Sequence, residues 1–307
     1  MNEEPITTVA ICTRNRAALL DACLASVLTQ TLAPQRYAVI VIDNVSEDDT
    51  EAVVARHRAA DPRIIYEREP DIGVSPARNR ALRLTRTPFI AFIDDDQRAQ
   101  PNWLEELMAP FFHVRPRPAV VGGDNDPVWG VPRPDWLADW MLPWYGVCLN
   151  LPDAPRLITK DEFILEGNCA IDCAALRAVG MFPEALGRRE GTLISGENTA
   201  FDLICAAGGP VWFQDTARTL HYIHPERLDP KWLRRRAFWE GVTKSRRQRE
   251  FARKGLTREP QPIAVPTTPD HWHAILKAGS GSKGLARLMA HLEGIGFALD
   301  QIGLVDP

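Results

Sequence analysis

The sequence has 307 residues, a formal net charge of -4, 45% hydrophobic and 25% charged residues. That length and composition belong to a chain that buries a full core, which excludes a disordered or low-complexity polypeptide. No apolar run approaches the roughly 20 residues of a membrane span or reads as a signal peptide, and the six cysteines contain no C-x-x-C, so a reduced, cytoplasmic protein is expected, with neither a disulfide frame nor a zinc site.

In chain order, Thr7 to Cys12 is a β-rich run, and Ala17 to Leu28 follows with Leu20, Cys23, Leu24, Val27 and Leu28 on one helical face. Tyr37 to Ile42 is a nearly continuous apolar strand, as suits a parallel sheet covered on both faces. Ser46, with Asp49 three positions on, opens a capping-box-like helix through His57. Arg63 to Tyr66 is a third strand, and Ser75-Pro76 starts a helix running to Thr85. Pro88 to Ile93 is a fourth strand, ending at Asp94-Asp95-Asp96. A helix over Trp103 to Phe112 and a strand around Ala119 to Val121 complete this half. Residues 122 to 165 are dense in Gly, Pro and Trp and read as an irregular substrate-loop region. Regular structure resumes with a strand over Asn168 to Ile171, helices over Cys173 to Val179 and Glu197 to Ala207, and a strand over Val211 to Gln214. From Pro230 the chain is helical and basic, crosses a Pro-rich linker at 259–269, and ends in another helix.

Strands alternating with helices predict an α/β fold with a mostly parallel, doubly wound sheet. Ligands in such sheets bind beyond the carboxyl ends of the strands. Three polar clusters, Thr13-Arg14-Asn15, Asp43-Asn44 and Asp94-Asp95-Asp96, each follow a strand directly and so converge on one edge. Carboxylates there suit a hard divalent cation carrying a diphosphate. In an extended chain Asp94 and Asp96 point the same way and Asp95 opposite. Taken singly, each cluster is equally well a turn or a helix cap.

The ordered pieces V-A-I-C-T-R-N-R, V-I-D-N, G-V-S-P-A-R-N-R-A, F-I-D-D-D, L-E-G-N-C-A, S-G-E-N and L-H-Y-I-H-P-E-R cover residues 9 to 227. With them the chain resembles a bacterial-type family 2 glycosyltransferase of GT-A fold. The resemblance implies a catalytic domain over 1–228, with a nucleotide-binding half over 1–121 and an acceptor half over 122–228, followed by a helical, basic extension over 229–307. It further implies that Thr13, Arg14 and Asn15 line the nucleotide pocket and that Asp43, with Asn44 beside it, meets the base. Arg78 and Asn79, after Gly73, would hold the nucleotide. Asp94 would approach the ribose, Asp95 would complete the donor-binding run, and Asp96 and His221 would bind Mg2+ or Mn2+. A nucleotide-sugar donor, UDP-linked by preference, and a glycan, lipid-linked or small-molecule acceptor are the implied partners.

Inverting transfer needs a carboxylate to take the acceptor proton. The family usually supplies the Asp of a Glu-Asp pair, but this chain has Glu197-Asn198. Asn cannot serve, so Glu197 is the first choice of base and Asp202, one turn on, the second; a mechanism other than simple inversion also remains. Two readings stand beside transfer. A nucleotidyltransferase would want a Gly-rich loop after the first strand, and T-R-N-R-A-A has no glycine. A nucleotide-sugar-binding protein that has lost its base is the other.

Lys231 to Arg258 carries eleven Lys/Arg against two Asp/Glu, a net +9, which leaves about -13 for the rest of the chain. Such a helix either lies solvated with its apolar side on the catalytic domain or rests on anionic headgroups at the inner face of a membrane. Nucleic acid is not an expected partner, given the acidic remainder and no recognised module. Leu285, Leu288, Met289, Leu292, Ile295, Leu299 and Ile302 form an amphipathic stripe over 285–302. Its partner is the chain's own body, a second subunit in a homo-oligomer, or a membrane.

Overall fold

Val9 and Ile11 of the first strand enter one apolar core and Ala10 enters another, the period-2 signature of a sheet buried on both faces. The computed structural model of the chain describes residues 4–159, 162–189, 191–196, 198–256 and 282–305. The Pro-rich linker at 259–269 and Glu197 therefore lie outside the described residues.

Thr7–Thr13 (β1), Tyr37–Asp43 (β2), Ile64–Arg68 (β3) and Phe89–Ile93 (β4) form the parallel half of the sheet, in the order β3-β2-β1-β4. Helices Ala17–Val27 (α1), Thr50–Ala60 (α2) and Val74–Leu84 (α3) connect these strands. α1 and α2 cover one face with Trp103–His113 (α4). α3 covers the other with Cys173–Ala178 (α5) and Thr199–Ala206 (α6).

The sheet continues with mixed polarity through Gln97–Ala99 (β5), Val120–Trp129 (β6), Arg156–Leu157 (β7), Asn168–Asp172 (β8) and Val211–Ile223 (β9). Its full order is β3-β2-β1-β4-β8-β6-β9-β5, with β7 also pairing β9. β8 runs antiparallel to both β4 and β6, and β5 antiparallel to β9. The α/β class with a largely parallel core is thus as expected.

Four local expectations change. The helix expected from Ser46 begins at Thr50, because the Ser46 hydroxyl accepts the Asn15 N–H at 3.0 Å and its own N–H is held by Asp43 Oδ1 at 2.7 Å. Asp48 instead receives the Thr50 N–H at 3.1 Å. β6 runs eight residues beyond the expected Val121, into the supposed irregular region. Gly122 and Gly123 allow this, since a Cβ on them would stand 2.5 Å from Ile164 Cβ and 2.0 Å from the Ala217 carbonyl oxygen. β9 continues past Gln214 to Ile223, where Ala217, Thr219, His221 and Ile223 are buried and Arg218, Leu220 and Tyr222 between them are half-exposed. The short polar β5 carries no apolar signal and was not expected.

The chain divides into two compact units, one of 1–128, 146–182 and 198–222, the other of 129–145, 183–197 and 223–307. In the second, Pro230–Arg253 (α7) packs against Ser282–Gln301 (α8). Gly241 and Gly296 let the backbones meet: a Cβ at either would lie 1.8 Å from the Glu293 carbonyl oxygen or 2.0 Å from that of Phe238. Asp300, 5% exposed, accepts hydrogen bonds from Ser245 (2.5 Å), Arg246 (3.0 Å) and Arg249 (2.5 Å). α7 and α8 thus pack on each other and part of the +9 is neutralised within the pair, while of the apolar stripe Met289 is buried, Leu285, Leu288, Leu292, Ile295 and Leu299 are half-exposed and Ile302 is exposed.

Candidate active site

β1 ends in Thr13, and the chain then turns through Asn15 at φ 53°. The left-handed turn costs Asn less than most residues, and the neighbouring loop fixes it. Asn15 Oδ1 accepts the Glu47 N–H at 2.7 Å, and Asp48 Oδ2 accepts the Ala17 N–H at 2.9 Å. Asp48 thus satisfies one of the free N–H groups that open α1. The ends of β1 and β2 are locked together in this way.

β4 ends in the three aspartates, and they do not alternate. Asp95 and Asp96, 4% and 5% exposed, share one guanidinium nitrogen. Arg16 Nη1 donates to Asp95 Oδ1 at 2.8 Å and to Asp96 Oδ2 at 3.1 Å. The other Asp95 oxygen accepts the Thr13 hydroxyl at 2.8 Å. Asp94 goes elsewhere, with its side chain 45% exposed and 3.1 Å from Arg78 Nη2. The expected pairing of Asp94 with Asp96 is therefore corrected to Asp95 with Asp96. The reason is that the strand stops at Ile93, so the period-2 rule no longer applies to the run. Burial pushes the Asp95 carboxyl up to about 6, with Arg16 pulling against it and Asp96 adding to the rise. Burial alone would depress the Arg16 guanidinium, but Asp95 and Asp96 outweigh it and hold it above its ordinary value.

His221 arrives on β9, opposite Gln97 of β5. Its Nε2 lies 3.3 Å from Asp96 Oδ1, and its Nδ1 lies 3.2 Å from the Gly146 carbonyl oxygen. A carbonyl only accepts, so Nδ1 carries a proton. Nε2 then either donates to Asp96 from a doubly protonated ring or shares a cation with it. Asn125 Nδ2 donates to the same Gly146 oxygen at 2.8 Å. Behind it lies a buried polar network. Asn168 Nδ2 reaches the Asp124 carbonyl, Asn125 Oδ1 and the Ala217 carbonyl at 2.9, 2.9 and 3.0 Å, while Thr219 donates to Asn125 Oδ1 at 2.7 Å.

Two ligands at about 2.1 Å from an octahedral Mg2+ stand about 3.0 Å apart, close to the Asp96–His221 separation. Among the described residues, no group of three or more His, Cys, Asp and Glu side chains could hold a metal ion; an ion completed by phosphate oxygens and water needs only one or two protein ligands. The residues present fit such an ion.

The other expected site residues divide by their bonding. Asp43, 2% exposed, accepts from the Ser46 N–H and, at 2.5 Å, from the Tyr66 hydroxyl. Asn44 holds the loop before α3: its Nδ2 donates to the Glu69 and Asp71 carbonyls at 2.9 and 2.8 Å, and its Oδ1 accepts the Gly73 N–H at 2.8 Å. Gly73 has φ 149°, a conformation other residues avoid. Arg78, 4% exposed, packs against the edge-to-face Phe92–Phe182 pair, 5.6 and 5.8 Å from the two ring centres. Asn79 clasps the Phe182 backbone, donating at 2.9 Å and accepting at 2.9 Å, and so braces α3. Arg14 is half-buried in the loop after β1. Asp202 is half-buried on α6, its N–H bonded to the Asn198 carbonyl at 3.1 Å. Asn198 Oδ1 is buried without a hydrogen-bond partner among the described residues, and the Asn198 N–H donates to Glu166 Oε1 at 2.9 Å.

Sequence reasoning passed over Arg16, Gly167 and Asn125. Arg16 stands in the motif V-A-I-C-T-R-N-R, but its sequence neighbours give no sign of the two carboxylates it meets. A Cβ on Gly167 would lie 2.1 Å from Asp94 Oδ2, so the glycine makes room for that carboxylate, and its carbonyl oxygen accepts the Asp94 N–H at 3.1 Å.

The sequence profile of glycosyl transferase family 2 matches residues 8–180, more than half of the chain and all of the strand ends just described except that of β9. The chain belongs to glycosyl transferase family 2. It carries a glycosyltransferase domain. Over 119 residues, 38% of the chain, it is 39% identical to the validoxylamine A glucosyltransferase of Streptomyces hygroscopicus subsp. limoneus, and the match spans about a quarter (26%) of that protein. A glucosyl-dolichyl phosphate glucuronosyltransferase of Haloferax volcanii is 23% identical over 241 residues, covering 77% of this chain and 75% of the relative. Among solved structures, a mannosyltransferase of Pyrobaculum calidifontis in complex with GDP-Man and Mn2+ superposes with a TM-score of 0.58 at 18% identity, covering 98% of this chain and 72% of that one. That likeness is one of fold, and it agrees with the GT-A architecture.

Proposed function

We propose that the protein moves a glycosyl group from a nucleotide-sugar donor, a UDP-sugar by preference, to a hydroxyl of a glycan, a lipid-linked glycan or a small metabolite, with inversion and with Mg2+ or Mn2+. The observation that carries this reading is the buried Asp95–Asp96 pair with His221 Nε2 3.3 Å from Asp96, set where β4 ends. The names of the relatives and the nucleotide complexes of the structural neighbours support it.

In this reading Asp96 and His221 hold the cation, which when bound supplies positive charge against the leaving diphosphate. Asp94 meets the ribose, and Arg78, buried against two rings, keeps that carboxylate in place. Asp43 accepts from the base, while Thr13, Arg14 and Asn15 line the pocket around it. Asn44, Gly73 and Asn79 shape the pocket through the loop and helix they brace. Glu197 takes the acceptor proton and Asp202 is the second candidate, because Asn198 stands where the family carries its base. Lys231, Arg234 and Arg235 are exposed on α7 and would meet anionic headgroups if the acceptor is lipid-linked. Among the described residues no helix is long and apolar enough to cross a membrane.

A panel of nucleotide sugars screened by thermal shift with Mn2+ tests the donor. A stabilising nucleotide is expected, and no shift with any of them overturns the reading. Transfer assays on Glu197→Gln and Asp202→Asn, made separately, assign the base. The variant that binds donor normally yet loses turnover marks it, and full activity in both removes the inverting mechanism.

A further inference from the structure

Arg16 bridges Asp95 and Asp96 through a single nitrogen, at 2.8 and 3.1 Å. One positive centre between two buried carboxylates is the arrangement a divalent cation would itself impose. The remaining carboxylate oxygens face Thr13, at 2.8 Å, and His221, at 3.3 Å. An ion seated on Asp96 and His221 therefore meets a carboxylate already committed to Arg16. Two unit charges at such separations attract strongly even in a partly hydrated setting.

The two arginines of the site differ in their freedom. Arg78 is 4% exposed and packed against two aromatic rings. The Arg16 side chain is 34% exposed and has a route to solvent. Its backbone does not share that freedom, because Asn15 and Ala17 on either side are tied to Ser46, Glu47 and Asp48. Only the side chain needs to move. A guanidinium stays charged at every relevant pH, so it balances the carboxylate pair whenever that pair is ionised.

We propose that Arg16 is a built-in cation that holds Asp95 and Asp96 together, is displaced from them by the incoming divalent ion, and then turns outward toward the donor diphosphate. The inference rests on the cation site of the preceding section. It makes Arg16 a competitor of the metal before donor binding and a positive group facing the diphosphate afterwards, two roles carried by one side chain. The order of events follows: the ion and the diphosphate arrive together most readily, since the diphosphate rewards the displaced guanidinium.

Binding of Mn2+ alone, and of Mn2+ with UDP, is to be measured by electron paramagnetic resonance on the wild-type chain, Arg16→Met and Arg16→Lys. Arg16→Met is expected to bind Mn2+ alone about tenfold or more tightly than wild type, and Arg16→Lys to fall between them. The gain should shrink or reverse when UDP is present. Equal or weaker Mn2+ binding by both variants overturns the proposal while leaving the cation site standing. Absence of Mn2+ binding in all three proteins, with and without UDP, overturns the cation site itself. A second measurement needs no altered core. The guanidinium NMR signal of Arg16, assigned by its loss in Arg16→Lys, should move when Mg2+ and UDP are added to wild type, as its partners change from two carboxylates to a diphosphate. A signal unmoved at saturation also overturns the proposal.

Discussion

Gln97 of β5 lies opposite His221 of β9 in antiparallel register. That pairing brings the imidazole to 3.3 Å from Asp96, the residue before Gln97. The Tyr222 N–H also donates to the Asp96 carbonyl at 2.9 Å, so backbone pairing sets the distance between the two side chains. The proposed cation site would depend on the sheet edge as much as on its two ligands.

His221→Ala and Asp96→Asn are each expected to abolish the Mn2+-dependent thermal shift predicted with nucleotide and to lower turnover by about 100-fold or more, the loss expected when a site loses its hold on a metal. A Mn2+ titration by differential scanning fluorimetry checks this. An undiminished shift in His221→Ala would remove the imidazole from the site.

Gly167→Ala places a methyl 2.1 Å from Asp94 Oδ2 unless the carboxylate moves. Overpacking of this kind costs about 1–3 kcal/mol. The expected result is weaker UDP binding by calorimetry with Mn2+ affinity little changed, since Asp96 and His221 are not displaced.

Asn125→Ala removes the second donor to the Gly146 carbonyl and an acceptor for Asn168 and Thr219. Loss of one member of a buried network costs about 1–3 kcal/mol, seen as a fall of several degrees in Tm. Nitrogen-15 spectra of His221 should show a proton on Nδ1 in wild type and a looser tautomer preference in the variant.

Asp300 carries the acid sensitivity of the α7–α8 pair. Burial alone would raise its pKa, but hydrogen bonds from Ser245, Arg246 and Arg249 prevail and hold it below its ordinary value. A depressed carboxylate contributes stability in full above its unfolded value of about 3.9. The contribution is lost as pH falls from there through the folded value. Hydrogen exchange of α8 amides, compared after correction for intrinsic rates, should lose protection below about pH 4. In Asp300→Asn the protection should already be lower at pH 7 and change less on acidification.

The sequence by itself determined the alternating α/β order, the parallel strands β1 to β4, and the family. These are carried by continuous apolar strands such as Tyr37–Asp43 and by polar residues directly after them, both of which are local patterns. Only the tertiary structure decided which carboxylates act together. The period-2 rule fails where β4 stops at Ile93, so Asp95 joins Asp96 and Asp94 turns to Arg78. Tertiary contact also decided the part played by Arg16, one Arg among many until Asp95 and Asp96 close on it, and the reach of β6 and β9, whose polar and glycine-rich residues carry no strand signal until neighbouring strands supply their hydrogen bonds. The physical reason is common to all three: burial and pairing of charges depend on partners far away along the chain, whereas apolar periodicity is written into each segment.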